Sequence, residues 1–470
     1  MPVKIGLAAL CAHWFQEVGL QGENGGLAET LRRDYARIVD CLAEQFIVIA
    51  PGVISTVEDA SRAVARFREE QVDALLLVHI FWSEDQPLIE MLRNGSDWPL
   101  LLWDYHPIGA LPPHLSVNDL FRCSGTVGML QGSAPMQRLG VRATLISGTP
   151  GDPELAHSLQ TYAAALRIRQ AFQGMKVGRI AGRCEVMTGT HADPETLRTQ
   201  LGVTLQEFTA AEYADYCTHV DPARVDAWAA RLTSACAMHE VAPESLRLAC
   251  RNALAIDDLV VEHELSVVAM QDLDPELHAM AGIRPCLCPP ECARRGVALV
   301  MESDVNTGLA MLAAMRAADA PALYTEIFTY DPQAGLLLMG HAAPHDPRLA
   351  AVDGVTLVPD AEYRHVDACE GVWQEFILRE GPVTCISLYD TGAGYRMVTF
   401  DGTSLGAPRR LEGFAHAMVR PAVPVRQLLP RLVQRGLTQH FVVVPGAVSE
   451  ILAQWCALSN IAFERETAND

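Results

Sequence analysis

Apolar and polar positions along the first two thirds of the chain alternate between two textures. Short β-rich apolar runs ("VKIGLAAL", "FIVIAPG", "ALLLVHIF", "PLLLWDY", "ATLISG") are separated by longer segments. In those, such as "LAETLRRDYARIVDCLAEQ" and "VEDASRAVARFREEQ", apolar residues recur every three or four positions. A strand–helix alternation of this kind predicts a doubly wound parallel sheet, because each crossover helix covers a face of the sheet. The pattern restarts near residue 176 with "KVGRIAG", "LGVTLQEF", "LSVVAMQD" and "GVALVMES", after a helical connection "PELAHSLQTYAAALRIRQAFQGM". Beyond about residue 322, "ALYTEIFTYD", "GLLLMGH", "GVTLVPD", "GPVTCISLYD" and "YRMVTFDG" follow one another with turn residues between them. Strands without intervening helices predict an antiparallel sheet or small barrel. The final "LLPRLVQRG", "HFVVVPG" and "SEILAQWCALSNI" return to helix–strand–helix. The expected fold class is therefore α/β, with two doubly wound parallel-sheet domains (1–173 and 174–321) followed by a β-rich, barrel-like domain (322–470).

Composition narrows the partners. With 36 Lys and Arg against 57 Asp and Glu, the net charge of −21 disfavours nucleic acid or an anionic membrane surface. The apolar runs fall far short of the roughly 20 residues a membrane span needs. "MPVKIGLAAL" reads as a first strand rather than a signal segment. Thirteen scattered cysteines suit reduced, buried thiols, so a cytoplasmic protein is expected. No Walker loop, clean G-x-G-x-x-G or G-x-S-x-G elbow occurs. "CLCPPEC" (Cys286, Cys288, Cys292) lacks a second cysteine pair and reads as a structural loop. His157, His239 and His278 read as surface or helix-end residues.

The stretch "GVALVMESDVNTGLAMLAAM" carries more chemistry. An apolar run from Gly296 to Met301 delivers Glu302 and Asp304 to the start of a helix, and ligands in parallel α/β sheets bind beyond the carboxyl ends of strands. Capping by Ser303 or Asp304 is the alternative use of this spot, and it leaves Glu302 free for function. "LYTEIFTYD" carries Glu326, "LLLMGH" ends in His341, and "QHFVVVPG" begins a strand with His440. Two carboxylates and two imidazoles suit Mn²⁺, Co²⁺ or Mg²⁺.

These segments, in their order and spacing, resemble those of the L-fucose isomerase and L-arabinose isomerase superfamily. The resemblance extends to "AHWF", "KVGRIAGRCEVMTG" and "VVAMQD". It implies a divalent metal, typically Mn²⁺, held by Glu302, Glu326, His341 and His440. It further implies aldose–ketose isomerisation of a free pentose, hexose or close derivative through a metal-stabilised enediolate. Glu302 and Glu326 would be the acid/base pair, in an order the sequence leaves open. His341-Ala342-Ala343 and Gln439-His440 depart from the superfamily pattern, so sugar specificity stays open. Trp14, Trp82, Tyr105 and Glu185 lie near strand ends and are candidate sugar contacts, or else core and interface residues. The resemblance implies trimers or hexamers. An epimerase or lyase with the same chemistry, or a sugar-binding protein without catalysis, are the alternatives.

Overall fold

The computed structural model describes residues 2–15, 26–363 and 371–468. The chain divides into two compact units, Met1–Arg167 and Ile168–Asp470, with the boundary inside the helix Pro153–Phe172.

The first unit is built on a six-stranded parallel sheet. Its strands are β1 (Lys4–Leu10), β2 (Ile47–Ile49), β3 (Val53–Ile54), β4 (Ala74–His79), β5 (Leu100–Tyr105) and β6 (Ala143–Gly148), in the order β2-β1-β4-β5-β6 with β3 also on β1. The two central strands, β1 and β4, are almost wholly buried, which accounts for their unbroken apolar runs. The helix Val57–Glu69 turns Ala60, Ala63, Val64 and Phe67 to the sheet and is started by a Thr56–Asp59 capping box.

The second unit begins with a parallel sheet of β7 (Lys176–Ile180), β8 (Thr204–Phe208), β10 (Leu265–Met270) and β11 (Ala298–Val300), in the order β11-β10-β7-β8. It continues into a closed barrel. The strands β12 (Leu323–Asp331), β13 (Leu336–His341), β16 (Gly381–Asp390), β17 (Tyr395–Ser404), β18 (Ala415–Pro421) and β19 (His440–Pro445) pair antiparallel in the order β16-β19-β12-β13-β18-β17. Pairing of β16 with β17 closes the ring, and β20 (Ala462–Glu466) adds parallel to β17. The expected α/β class with a barrel-like carboxyl-terminal part is what the structure has.

"GVTLVPD" departs from expectation. It forms β14 (Thr356–Pro359), which pairs with β15 (Val372–Glu375) and, in parallel, with the two-residue β9 (Ala237–Met238), outside the barrel. Its partner β9 sits after a helix and carries no apolar run to announce it.

The helix Val305–Ala318 joins the two sheets of this unit. It packs against β10 and β11 as well as β16 and β19, and every residue from Val305 to Ala314 is buried. A helix apolar on all sides is one covered on all sides. Gly308 permits the close approach, since a Cβ there would lie 2.6 Å from Val267 Cγ1 and 3.2 Å from Val300 Cγ2. No helix among the described residues is long and apolar enough to cross a membrane.

Candidate metal centre

Strand register gathers the candidate side chains. In β12, Glu326 lies opposite His440 of β19 on one side and Gly340 of β13 on the other, one residue from His341. Glu302 reaches the same point from the first sheet, at the turn between β11 and the helix Val305–Ala318. The turn is sharp. Glu302 and Ser303 have φ of 56° and 55°, and two successive left-handed non-glycine residues cost about 1–3 kcal/mol each. Polar contacts hold them there. Asp272 Oδ1 accepts the Glu302 N–H at 2.7 Å, the Ser303 N–H donates to the Met270 carbonyl at 2.9 Å, and Ser303 Oγ donates to the Gly182 carbonyl at 2.5 Å.

Glu302, His341 and His440 are all buried, and each offers a donor atom within 4.8 Å of the other two. The separations are 3.0 Å from Glu302 Oε2 to His440 Nε2 and 3.6 Å from Glu302 Oε1 to His341 Nε2. Both imidazoles are turned so that Nε2 faces the carboxylate. His440 Nδ1 donates to Asp304 Oδ2 at 2.7 Å, and His341 Nδ1 donates to the Ala342 carbonyl at 2.9 Å. Hydrogen bonding at Nδ1 orients a metal-binding histidine and leaves Nε2 as the ligand atom. Tyr324 lies against both rings, with centroids at 4.7 Å and 4.8 Å, and is pinned through its hydroxyl to the Met301 carbonyl.

Glu302 Oε2 and His440 Nε2, 3.0 Å apart, are buried and have no hydrogen-bond partner besides each other. Buried polar atoms are rarely left so, and a cation between them would satisfy both. The electrostatics agree. Burial pushes the His440 pKa down, but the Asp304 and Glu302 carboxylates outweigh it and lift the value to about 9. Without a metal the cluster draws a proton in; its carboxylates call for a positive charge. The donor set of one carboxylate and two imidazoles fits a borderline divalent ion.

Glu326 stands at the edge of this group. Its side chain is 28% exposed and its Oε1 lies 3.8 Å from His440 Nε2. It also borders, with Gln439, a cleft of about 510 Å³ whose other walls include Phe328, Leu429, Leu437 and Phe441.

Glu185 lies beyond the end of β7, exposed and paired with Arg183 at 2.7 Å. In the first unit Trp14 is 38% exposed and stacks on Phe15, Trp82 donates from its indole to Gln131, and Tyr105 is buried against Trp103. His157 and His239 are exposed as expected, but His278 is not. It is buried because its Nε2 satisfies the Asp272 carbonyl at 2.5 Å in the turn after β10. Cys286, Cys288 and Cys292 are buried free thiols, their pKa values raised by burial. Among the described residues they belong to no metal-ligating group.

The sequence reading found Asp304 as a helix cap but not its hold on His440, and it missed Asp272. Asp304 caps its helix, accepting the Thr307 N–H at 2.9 Å, and also holds His440; one carboxylate serves both ends, and only the cap has a local signature. Asp272 lies two residues past the end of β10, the same kind of strand end that singled out Glu302.

No known family profile matches the chain. It is similar to proteins named sulfoquinovose isomerase. Those of Priestia aryabhattai and Priestia megaterium are 20% identical over 421 residues, covering 88% of this chain and 90% of theirs. That of Alkalicoccus urumqiensis is 23% identical over 208 residues, 44% of this chain and 46% of its own.

Proposed function

We propose that the protein is a metal-dependent aldose–ketose isomerase acting on a sugar or sugar derivative. The observation that carries this reading is the buried Glu302–His341–His440 group, with both Nε2 atoms turned to one carboxylate and no other partner for Glu302 Oε2 or His440 Nε2. The similarity to sulfoquinovose isomerases along most of both chains supports it.

Glu302, His341 and His440 would hold the cation, with Glu326 as a fourth, exchangeable ligand. A divalent cation bound there supplies Lewis acidity to the adjacent carbonyl and hydroxyl oxygens of an open-chain sugar. Glu302 is fixed through its own backbone and is suited to stay in place. Glu326 is partly exposed and is suited to take the proton from C2 of the aldose and return it at C1, while the hydroxyl proton passes from O2 to O1, as isomerisation requires. Asp304 keeps the proton of His440 on Nδ1, away from the centre. Tyr324 and the barrel wall behind it shield the two imidazoles from water.

The sugar sulfonate that the relatives' names carry is the first substrate to test, beside unmodified pentoses and hexoses. The Mn²⁺-loaded protein is incubated with each aldose in D₂O and followed by NMR. Ketose formation with deuterium incorporation is the expected result. Incorporation with a C2 epimer as product would indicate an epimerase instead. Unchanged spectra for every sugar would refute the reading.

A further inference from the structure

We propose that Asp272, locked by Arg284, is a positioning residue that aims the Glu302 carboxylate at the metal centre; the inference rests on reading Glu302 as a metal ligand. Asp272 is fully buried and every oxygen it owns is engaged. Oδ1 accepts the Glu302 N–H at 2.7 Å, Oδ2 accepts Arg284 Nε at 2.9 Å and a terminal guanidinium nitrogen at 2.5 Å, and its carbonyl accepts from His278 Nε2. Arg284 is itself 1% exposed. Its guanidinium also binds Glu362, lies 3.9 Å from Asp360, and is flanked by the rings of Tyr363 and Trp373 at 5.0 Å and 5.2 Å.

An ion pair this deep adds little net stability over apolar residues of the same size. What it supplies is direction. Both guanidinium N–H groups converge on Oδ2 and anchor it, and the other carboxylate oxygen then holds one N–H of a backbone in the left-handed region. Glu302 cannot leave that conformation without giving up the Asp272 contact. Its side chain therefore meets His341 and His440 in one orientation whether or not a metal is bound.

The chemistry of an amide provides the test. In Asp272→Asn a single oxygen replaces two acceptors, so the side chain can serve Glu302 or Arg284 but not both. The metal-free variant is titrated with Mn²⁺ by electron paramagnetic resonance, and its Co²⁺ form is examined by visible absorption. The expected result is Mn²⁺ affinity weakened 10–100-fold, the range for residues that orient a ligand from outside the coordination shell. The Co²⁺ bands should change as well. A purely structural role would lower the melting temperature and leave the affinity and bands of the folded protein unchanged, and that result overturns the inference. Arg284→Lys keeps the charge without the fork and covers the case in which Asp272→Asn does not fold; it should weaken Mn²⁺ binding several-fold, and wild-type affinity counts against the proposal. Absence of Mn²⁺ binding in the wild type removes the ligand role of Glu302 and the inference with it. Binding in the wild type that is unaltered in both variants removes the inference alone.

Discussion

Replacing Asp304 with asparagine separates the two tasks of one carboxylate. Asp304 Oδ1 accepts the Thr307 N–H at 2.9 Å, while Oδ2 lies 2.7 Å from His440 Nδ1 and from Thr307 Oγ1. Asparagine can keep the helix cap by placing its oxygen at Thr307, but its amide N–H₂ then faces His440 Nδ1. That nitrogen must become an acceptor, so the imidazole proton moves to Nε2 and points at Glu302, where a cation should sit. The lost interaction is a buried hydrogen bond to a charged group, about 1.5–3 kcal/mol. At about 1.4 kcal/mol per tenfold, this is roughly a 10–150-fold loss of metal affinity. The cap, worth about 1 kcal/mol, is retained, so metal-free stability should fall by no more than the lost His440 contact, about 1.5–3 kcal/mol. Calorimetric titration with Mn²⁺ and urea unfolding of the metal-free protein measure the two quantities. Unchanged Mn²⁺ affinity in a variant with an intact cap would refute the role given to Asp304. A destabilised variant with full affinity would mean that the amide has turned the other way and that the cap was lost instead.

Further outcomes follow from the same contacts. Glu326→Gln should reduce deuterium exchange about 100-fold or more while weakening Mn²⁺ binding less than Glu302→Gln, since Glu326 stands at the partly exposed edge of the cluster; equal losses of affinity would contradict its assignment as the exchangeable carboxylate. Burial holds the His79 pKa down at about 4, only partly offset by Asp85, so the unfolded chain binds the proton more readily. That contribution to stability is complete above about pH 6.5 and is lost as the pH falls towards 4, amounting to about 3 kcal/mol. His79→Gln should flatten this part of the stability–pH curve, as urea midpoints at pH 7 and pH 4.5 would reveal; an unchanged slope assigns the acid sensitivity to other groups. Gly308→Ala puts a methyl group 2.6 Å from Val267 Cγ1 and should cost about 1–3 kcal/mol through overpacking, which thermal unfolding would report; a neutral effect would show that the helix can shift away from the sheet.

The layer plan was legible because period and length carry it. Buried parallel strands such as β4 read as unbroken apolar runs, and the change to consecutive strands after Ala322 announced the barrel. Closure of that barrel was not legible, because β12 with β19, β13 with β18 and β16 with β19 pair across long stretches of chain, whereas β16 and β17 form a local hairpin. Glu302 could be singled out because a carboxylate closing an apolar run is locally anomalous. His341 and His440 are 99 residues apart and meet only through the pairing of β12 with both β13 and β19; resemblance joined them where periodicity could not. The left-handed turn at Glu302 and Ser303 leaves no trace in residue type, since neither is glycine or asparagine. Nor does sequence register that Asp272, Arg284 and Asp304 aim the ligands, because each contact crosses from one element to another. His278 sits at a helix end as expected, and its burial is not legible because the carbonyl it satisfies lies in a neighbouring turn.

The central claim is that Glu302, His341 and His440 hold a divalent cation. Its most direct test is metal stoichiometry after chelation and reloading with Mn²⁺, measured on wild type and on Glu302→Gln with melting curves to establish that both are folded. The account predicts one Mn²⁺ per chain in the wild type and little or none in the variant. Equal occupancy in both, or none in either, would contradict it.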